Sequence, residues 1–372
     1  MLTSQLGIRM MLLLGQTVPL PAPREVLEAV SNVQVTNDAQ NGDGFQVTFM
    51  LSKKQPAEYD LLQSGALKPS TRIIIGVILG VTPQVLIDGI ITHHQLTPSD
   101  EPGKSTLTVT GKDVSIMLDL EEKNEKYENQ PDFLIVTQLI ASYAKYGLVP
   151  TVTPTTDVPI MVDRIPRQQE TDLLFIQRLA ERNGFVFYIE PLTFGVNTAY
   201  WGPENRLGIP QPRLTLGQGP SGSLKSLHFT QDALAPVAPS GSFVDPITKT
   251  AIPIPSLPSL RIPPLSLSPA EALRKVLMRD TANQNPAQAA TSALATAMNA
   301  PDSVTGEGEI DSVRYGNVLR ARKLVNVRGA GLAYDGAYSV KRVTHTITRG
   351  DYKQSFSISR EGTGALLPVV IP

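Results

Sequence analysis

The sequence predicts a β-rich α+β fold in which two related antiparallel β-barrel domains flank an inserted small α/β domain. Three observations lead there. Short β-branched or aliphatic runs separated by turn residues fill the chain up to Gly111, helical spacing dominates from about 112 to 205, and strand patterns return in the last third. At 372 residues the chain is long enough for roughly two or three domains.

In the first part, strands are expected near Arg9 to Leu14, Val33 to Val35, Gly44 to Leu51, Thr71 to Val81, Gln84 to His94 and Ser105 to Thr110. Asn41-Gly42-Asp43-Gly44 is a turn signal ahead of Phe45, Val47 and Phe49, which alternate with Gln46 and Thr48 as a half-buried strand requires. Val18-Pro19-Leu20-Pro21 reads as an edge strand and turn. Ile73 to Leu79 is apolar on both faces and calls for cover on both sides, which a neighbouring subunit could give.

After Gly111 helix signals begin. Asp132 to Tyr143 places Ile135, Leu139 and Tyr143 on one face with Gly147 as a stop. A second helix starts at the N-cap Thr171, runs to Arg182 and ends at Gly184, and Phe185 to Ile189 follows as a strand. From about Ala233 to Ser268 recurring prolines oppose regular ladders and predict an exposed loop or linker. Ser268-Pro269-Ala270-Glu271 fits a capping box and predicts a helix to about Asp280, and an alanine-rich helix should run from Asn285-Pro286 to about Asn299. The closing strands are Gly308 to Arg314, Val318 to Val327, Gly336 to Thr348 and Tyr352 to Arg360, with a bulge near Lys341-Arg342. The domain boundaries that follow are 1–111 for the first barrel, 112–205 for the insertion and 206–232 for the start of the second barrel. Residues 233–268 form the proline-rich linker, 269–362 the helices and the rest of the second barrel, and 363–372 an apolar tail.

Lysine plus arginine (33) balance aspartate plus glutamate (34), so no global field favours nucleic acid or an anionic membrane surface. The absence of cysteine removes disulfides, thiolate metal sites and cysteine nucleophiles. Met10 to Leu14 is far short of a membrane span and lacks the features of a secretory signal. Gly217-Gln218-Gly219-Pro220-Ser221-Gly222 has the spacing of a dinucleotide turn but is followed by a strand pattern, which makes it a loop. The neighbours His93 and His94 point to opposite faces of a strand, and His228 and His345 lie in strands with no catalytic motif around them. Glu121, Glu122, Glu125 and Glu128 alternate irregularly with Lys123 and Lys126 and read as a solvated helix end or loop, not a calcium site. Glu307, Glu309 and Asp311 share a strand face. No cofactor, metal or catalytic group is expected, and the chain reads as a non-enzymatic subunit.

Three segments together resemble the hub proteins of contractile tails, a family that includes the phage late-control gene D protein and the N-terminal part of type VI secretion spike proteins. The strongest is Arg167 to Phe185, with Asp172, Phe175, Arg178, Leu179, Ala180, Gly184 and Phe185 at matching positions; the second is Gly336 to His345, with Gly336, Tyr338, Val340, Val343 and His345, continued by Gly350-Asp351-Tyr352 and Arg360-Glu361-Gly362. The third comprises Leu86 to Thr92 and Leu107 to Asp113. The resemblance implies a homotrimeric ring with pseudo-sixfold symmetry that joins a sixfold inner tube to a threefold spike, with His345 structural. It implies partners among spike, tube and other baseplate proteins, and assembly in the bacterial cytoplasm as part of a tail-like particle. The chain lacks the needle repeat of the type VI spikes, and the apolar Leu366, Leu367, Val369, Val370 and Ile371 are candidate contacts to a spike or a neighbouring hub subunit. A cell-wall hydrolase and another tube or distal-tail protein are the alternatives.

Overall fold

The computed structural model describes residues 8–52, 59–101, 103–155, 165–217, 222–244, 250–254, 261–278 and 286–366. The first part contains β1 (Ile8–Gly15), β2 (Leu20–Pro21), α1 (Arg24–Ala29), β3 (Val30–Asp38), β4 (Gly44–Met50), α2 (Asp60–Gln63), β5 (Arg72–Leu79), β6 (Thr82–Thr97) and β7 (Thr106–Asp113). Alternation works as expected in β4, where Phe45, Val47 and Phe49 are buried and Gln46 is exposed. These side chains share a core with Val33, Val35, Ile73, Ile75, Val77 and Leu107. Helix α1 was not expected; it begins at Pro23 with no side-chain cap to signal it.

Strand β5 is covered on both faces, and the cover comes from its own chain instead of a neighbouring subunit. Ile73, Ile75 and Val77 face the first core. On the other face Arg72 bonds the carbonyls of Tyr146 and Gly195, and a methyl group at Gly76 would touch the Phe194 ring.

The middle stretch contains β8 (Glu122–Lys126), α3 (Asp132–Ser142), β9 (Leu148–Val152), β10 (Arg167–Thr171), α4 (Asp172–Asn183), β11 (Val186–Thr193) and β12 (Val196–Gly202). The helices pack on a three-stranded sheet ordered β11, β12, β9, around Ile135, Ile140, Phe175, Ile176, Leu179, Ala199 and Trp201. The charged Glu122 to Lys126 segment is a strand, not a helix end or loop, because its main chain pairs with Arg167 to Thr171 while most of its side chains stay in solvent.

The remainder contains β13 (Gln211–Thr215), β14 (Leu224–Gln231), β15 (Val237–Val244), β16 (Ala251–Ile254), β17 (Ser268–Pro269), β18 (Arg274–Leu277), α5 (Pro286–Met298), β19 (Val304–Asp311), α6 (Ser312–Tyr315), β20 (Leu324–Arg328), β21 (Gly336–Thr348), β22 (Asp351–Arg360) and β23 (Gly362–Thr363). Most of the GxGxxG segment lies outside the described residues. Four expectations fail here for local reasons. The proline-rich stretch carries a small sheet, tolerated because Pro239 lies where β15 has only β18 beside it and Pro253 lies on the edge strand β16. The helix expected from Ser268 is absent, since Ser268 and Pro269 pair with Thr363 and Gly362 and Ala270 N–H donates to the Glu361 carbonyl. Strand β19 stops at Asp311, whose carboxylate caps α6 at Val313 and Arg314. Strand β20 begins only at Leu324, after the left-handed backbone of Arg322 (φ 64°) interrupts the run expected from Val318. The alanine-rich helix forms, and the register shifts between Val340 and Arg342 where a bulge was expected.

One largely antiparallel sheet of 13 strands unites the two β parts in the order β14, β19, β22, β21, β3, β4, β7, β6, β5, β1, β2, with β13 and β20 branching from β21. Arg342 to Thr348 of β21 pair with Asn32 to Asp38 of β3, so the C-terminal hairpin continues the sheet of the first part. Its base lies in a second-part core with Tyr338, Val340, Val343, Phe356 and Ile358, and its tip places Ile347 and Tyr352 in the first core.

Candidate functional site

Helix α4 shows how a motif can be structural throughout. The Thr171 hydroxyl accepts from Leu174 N–H at 3.4 Å, and the N–H groups of Gly184 and Phe185 close the last turn. Gly184 has φ 68°, and a methyl group there would also meet Ala295 Cα at 3.0 Å, so glycine is required twice over. Phe175, Leu179 and Ala180 are buried, and Phe185 packs edge-to-face on Trp201 at 4.8 Å. Arg178 remains outside, paired with Glu170 at 2.6 Å and lying over the Phe175 ring. Asp172 is fully buried, and its carboxylate accepts from Lys123 Nζ (2.5 Å), Tyr143 Oη (2.8 Å) and Gln168 Nε2 (2.7 Å). Asp172 thus ties the start of α4 to β8, to β10 and to Tyr143 at the end of α3.

The second motif lies in the hairpin. Tyr338 packs beside Phe229, under the Arg360 guanidinium, which donates to the carbonyls of Ala333, Asp335 and Gly362. Gly336 gives the Arg360 side chain room, and Val340 and Val343 fill the core. His345 sits between the two cores with no solvent exposure, and its Nδ1 lies 2.9 Å from the Tyr352 hydroxyl. Burial, reinforced by the Arg320 charge, lowers its pKa to about 3 and holds the imidazole neutral.

The junction of the three regions is ionic, and sequence spacing did not single it out. Arg72 grips Asp88 through two bonds of 2.8 and 2.6 Å, while Asn197 of the inserted unit donates to the same carboxylate at 2.8 Å. Arg322 donates to Asp43 at 2.5 and 3.1 Å and lies over the Tyr188 ring, joining both β parts to the insertion. Asp113 lies nearby and caps Ser115 N–H; burial and the Asp43 charge raise its pKa to about 6. A cavity of about 560 Å³ opens beside these groups. A sequence signal did exist at one of them, because Arg72 heads one apolar run, Asp88 interrupts another, and the two runs pair.

A further ionic group fastens the second part. Glu204 receives Lys341 Nζ at 2.5 Å and the Ser339 hydroxyl at 2.9 Å, and the Lys341 and Arg206 charges hold its pKa far below the usual carboxylate range despite burial. Arg206 pairs with Glu361 at 3.0 Å, and Arg261 pairs with Asp302. Glu361 also accepts from the N–H groups of Leu265 and Ser266. His94 bonds the Leu67 carbonyl, Glu309 pairs with Lys225 at 3.1 Å, and among the described residues no group of three or more His, Asp or Glu side chains is placed to hold a metal ion. No described helix is long and apolar enough to cross a membrane. Of the tail candidates, Leu366 is half exposed, whereas Leu367, Val369, Val370 and Ile371 lie outside the described residues.

Residues 25–207 match a family model described as the Alg8 N-terminal domain, which spans the first β part and the insertion. No curated protein matches the sequence. Among solved structures, the chain is similar to a tail protein of Neisseria meningitidis MC58 (TM-score 0.63, 14% identity, covering 96% of this chain and 98% of that one). It is also similar to the 43 kDa tail protein of prophage MuSo2 from Shewanella oneidensis (0.62, 13%, 95% and 98%). A third is the E. coli c3393 protein, a type VI secretion component with structural similarity to T4 tail proteins (0.56, 14%, 92% and 77%). The β-rich architecture of this chain is thus the fold of phage tail and type VI secretion proteins.

Proposed function

We propose that the chain is the baseplate hub of a contractile phage-tail-like injection system, a homotrimeric pseudo-sixfold adaptor between a sixfold inner tube and a threefold spike. The observation that carries this is end-to-end likeness of fold to tail proteins, 96% of this chain against 98% of the Neisseria chain. Two β parts around an insertion are the arrangement such an adaptor needs, since one subunit must present two similar units to a sixfold neighbour. On this basis residues 1–111 and 206–362 supply the two barrel units, and the C-terminal hairpin fixes their relative orientation. The motif residues Asp172 and His345 act as internal ties, and the role is mechanical instead of catalytic. Leu366 and the apolar residues after it would contact the spike or an adjacent hub subunit.

Light scattering with averaged electron images of the purified protein tests this. Three copies of a 40.2 kDa chain give a ring of about 120 kDa with threefold symmetry. A sixfold ring would assign the chain to the tube instead, and dye release from labelled cell walls would favour the hydrolase alternative. Deleting residues 365–372 should leave the fold intact and weaken spike or hub contact.

A further inference from the structure

Among the described residues, the 13-stranded sheet is open at both ends. At one end, β14 has β19 on one side and, among the described residues, no strand on the other. Its Ser226, His228 and Thr230 are exposed along one face. On the other face Leu227 and Phe229 are only half covered, although Phe229 stacks on Tyr334 at 4.9 Å. The second-part core therefore ends unfinished at β14. At the other end, β2 pairs among the described residues only with Leu13 and Leu14 of β1. Met10, Met11 and Leu13 are half covered there, and Val18 and Leu20 beside them are 73% and 65% exposed.

We propose that these two ends are complementary faces of one interface, at which the β14 edge of one copy receives the β1–β2 edge of a second copy. Each end lacks a neighbouring strand and leaves apolar side chains half covered. An open edge offers main-chain N–H and C=O groups that only another strand satisfies along its length, and a strand added at β14 would also cover Leu227 and Phe229. Charge is compatible: Glu307, beside His228 one strand in from the β14 edge, is 67% exposed and held only at 3.7 Å by the half-exposed Arg342, which leaves it open to a second cation, and β1 carries the exposed Arg9. Because the two ends differ, the contact is heterologous and propagates head to tail until it closes on itself. This rests on the ring proposed above, and it names the surfaces that close it.

The absence of native cysteine makes disulfide trapping clean. Copies carrying Ser226→Cys, His228→Cys or Thr230→Cys are mixed with copies carrying Arg9→Cys or Met11→Cys and oxidised. At least one combination should yield a linked dimer on a non-reducing gel, while Val81→Cys, at an exposed hairpin tip, should not link to either set. Proline is then placed at Thr230 and at Gln231 in turn, two exposed positions of the same strand. Neighbouring residues of a strand turn their N–H groups to opposite edges, so one variant keeps the internal ladder and loses only an outward donor. The variant that melts like wild type should assemble roughly tenfold more weakly. A wild-type trimer that forms with no trapped pair in any combination overturns the edge contact and leaves the hub proposal standing. A wild-type chain that remains monomeric at all concentrations removes both.

Discussion

The first β part closes around an apolar core, from Val33, Val35 and Val47 to Ile73 and Ile75, and its buried ionic groups Arg72, Asp88 and Asp43 lie where it meets the insertion and the second part. The second part has an apolar core too, yet its outer closure depends on Glu204, Arg206, Arg261, Asp302, Lys341 and Glu361, a buried ionic group that clips residues 261–266 onto the end of β22. Apolar burial is non-directional and tolerates small shifts of register. A buried ionic group holds only when every partner is present. The two parts should therefore fail differently, the first gradually with lost volume and the second abruptly with a lost charge or a fall in pH.

The largest effect is expected where an ionic tie crosses into the first part. Arg72→Ala leaves Asp88 buried without its main partner and should cost about 3–5 kcal/mol in denaturant unfolding. Phe49→Ala, a purely apolar loss in the same part, should cost a similar 3–5 kcal/mol or so, with little dependence on pH between 5 and 8. If Arg72→Ala proved nearly neutral, the junction with the insertion would not be held by this pair.

In the second part, Asp302→Ala removes a carboxylate shared by Arg261, Arg206 and the Ser359 hydroxyl, with an expected loss of about 2–4 kcal/mol and faster proteolysis between residues 261 and 278. Acid should act in the same direction. Glu204 has its pKa lowered in the fold by Lys341 and Arg206, so its stabilisation is present above the ordinary carboxylate pKa and is lost as pH falls through that region and below. His345 adds to this, because a pKa lowered to about 3 means that its contribution is complete above the ordinary imidazole value and declines as pH falls from there toward 3. Thermal melts between pH 7 and 3 should show a wild-type decline that His345→Gln reduces.

Much of this contrast was invisible in the sequence, for a physical reason. Alternation in Phe45, Val47 and Phe49, the stop at Gly184 and the bulge at Lys341-Arg342 are local properties of the chain, and the sequence anticipated each. The ionic ties join residues such as Arg206 and Glu361, or Asp43 and Arg322, that are brought together only by the finished fold. The failed helix at Ser268 has the same origin, since a sound local capping signal lost to main-chain pairing with residues 362 and 363. The source of the cover over β5 is not legible in the sequence, because nothing local indicates that Tyr146 and Gly195 return to Arg72.

A smaller effect of opposite sign is expected at Asp113. Its pKa rises to about 6 through burial and the Asp43 charge, so the folded state favours the protonated form. That stabilisation is complete below the unfolded carboxylate pKa and is lost as pH rises through about 6. Asp113→Asn keeps an acceptor for Ser115 N–H and removes the charge. The variant should be more stable than wild type at pH 8, by something on the order of 1–3 kcal/mol, and the two should converge near pH 4.

The smallest effect concerns the insertion, which shares features of both parts: an apolar core with a buried carboxylate at the head of α4. Thr171 serves there as N-cap and donates its own hydroxyl proton to Asp119 at 2.6 Å. The capping bond from Leu174 is long, so its share of the stability should fall at the lower end of the usual range for such caps. Thr171→Ala should then cost about 0.5–1 kcal/mol, and Thr171→Ser should recover most of it. A loss several times larger would mean that the bond to Asp119, and not the cap, is what Thr171 supplies. The insertion would then belong with the ionic second part in its manner of failure, not with the apolar first.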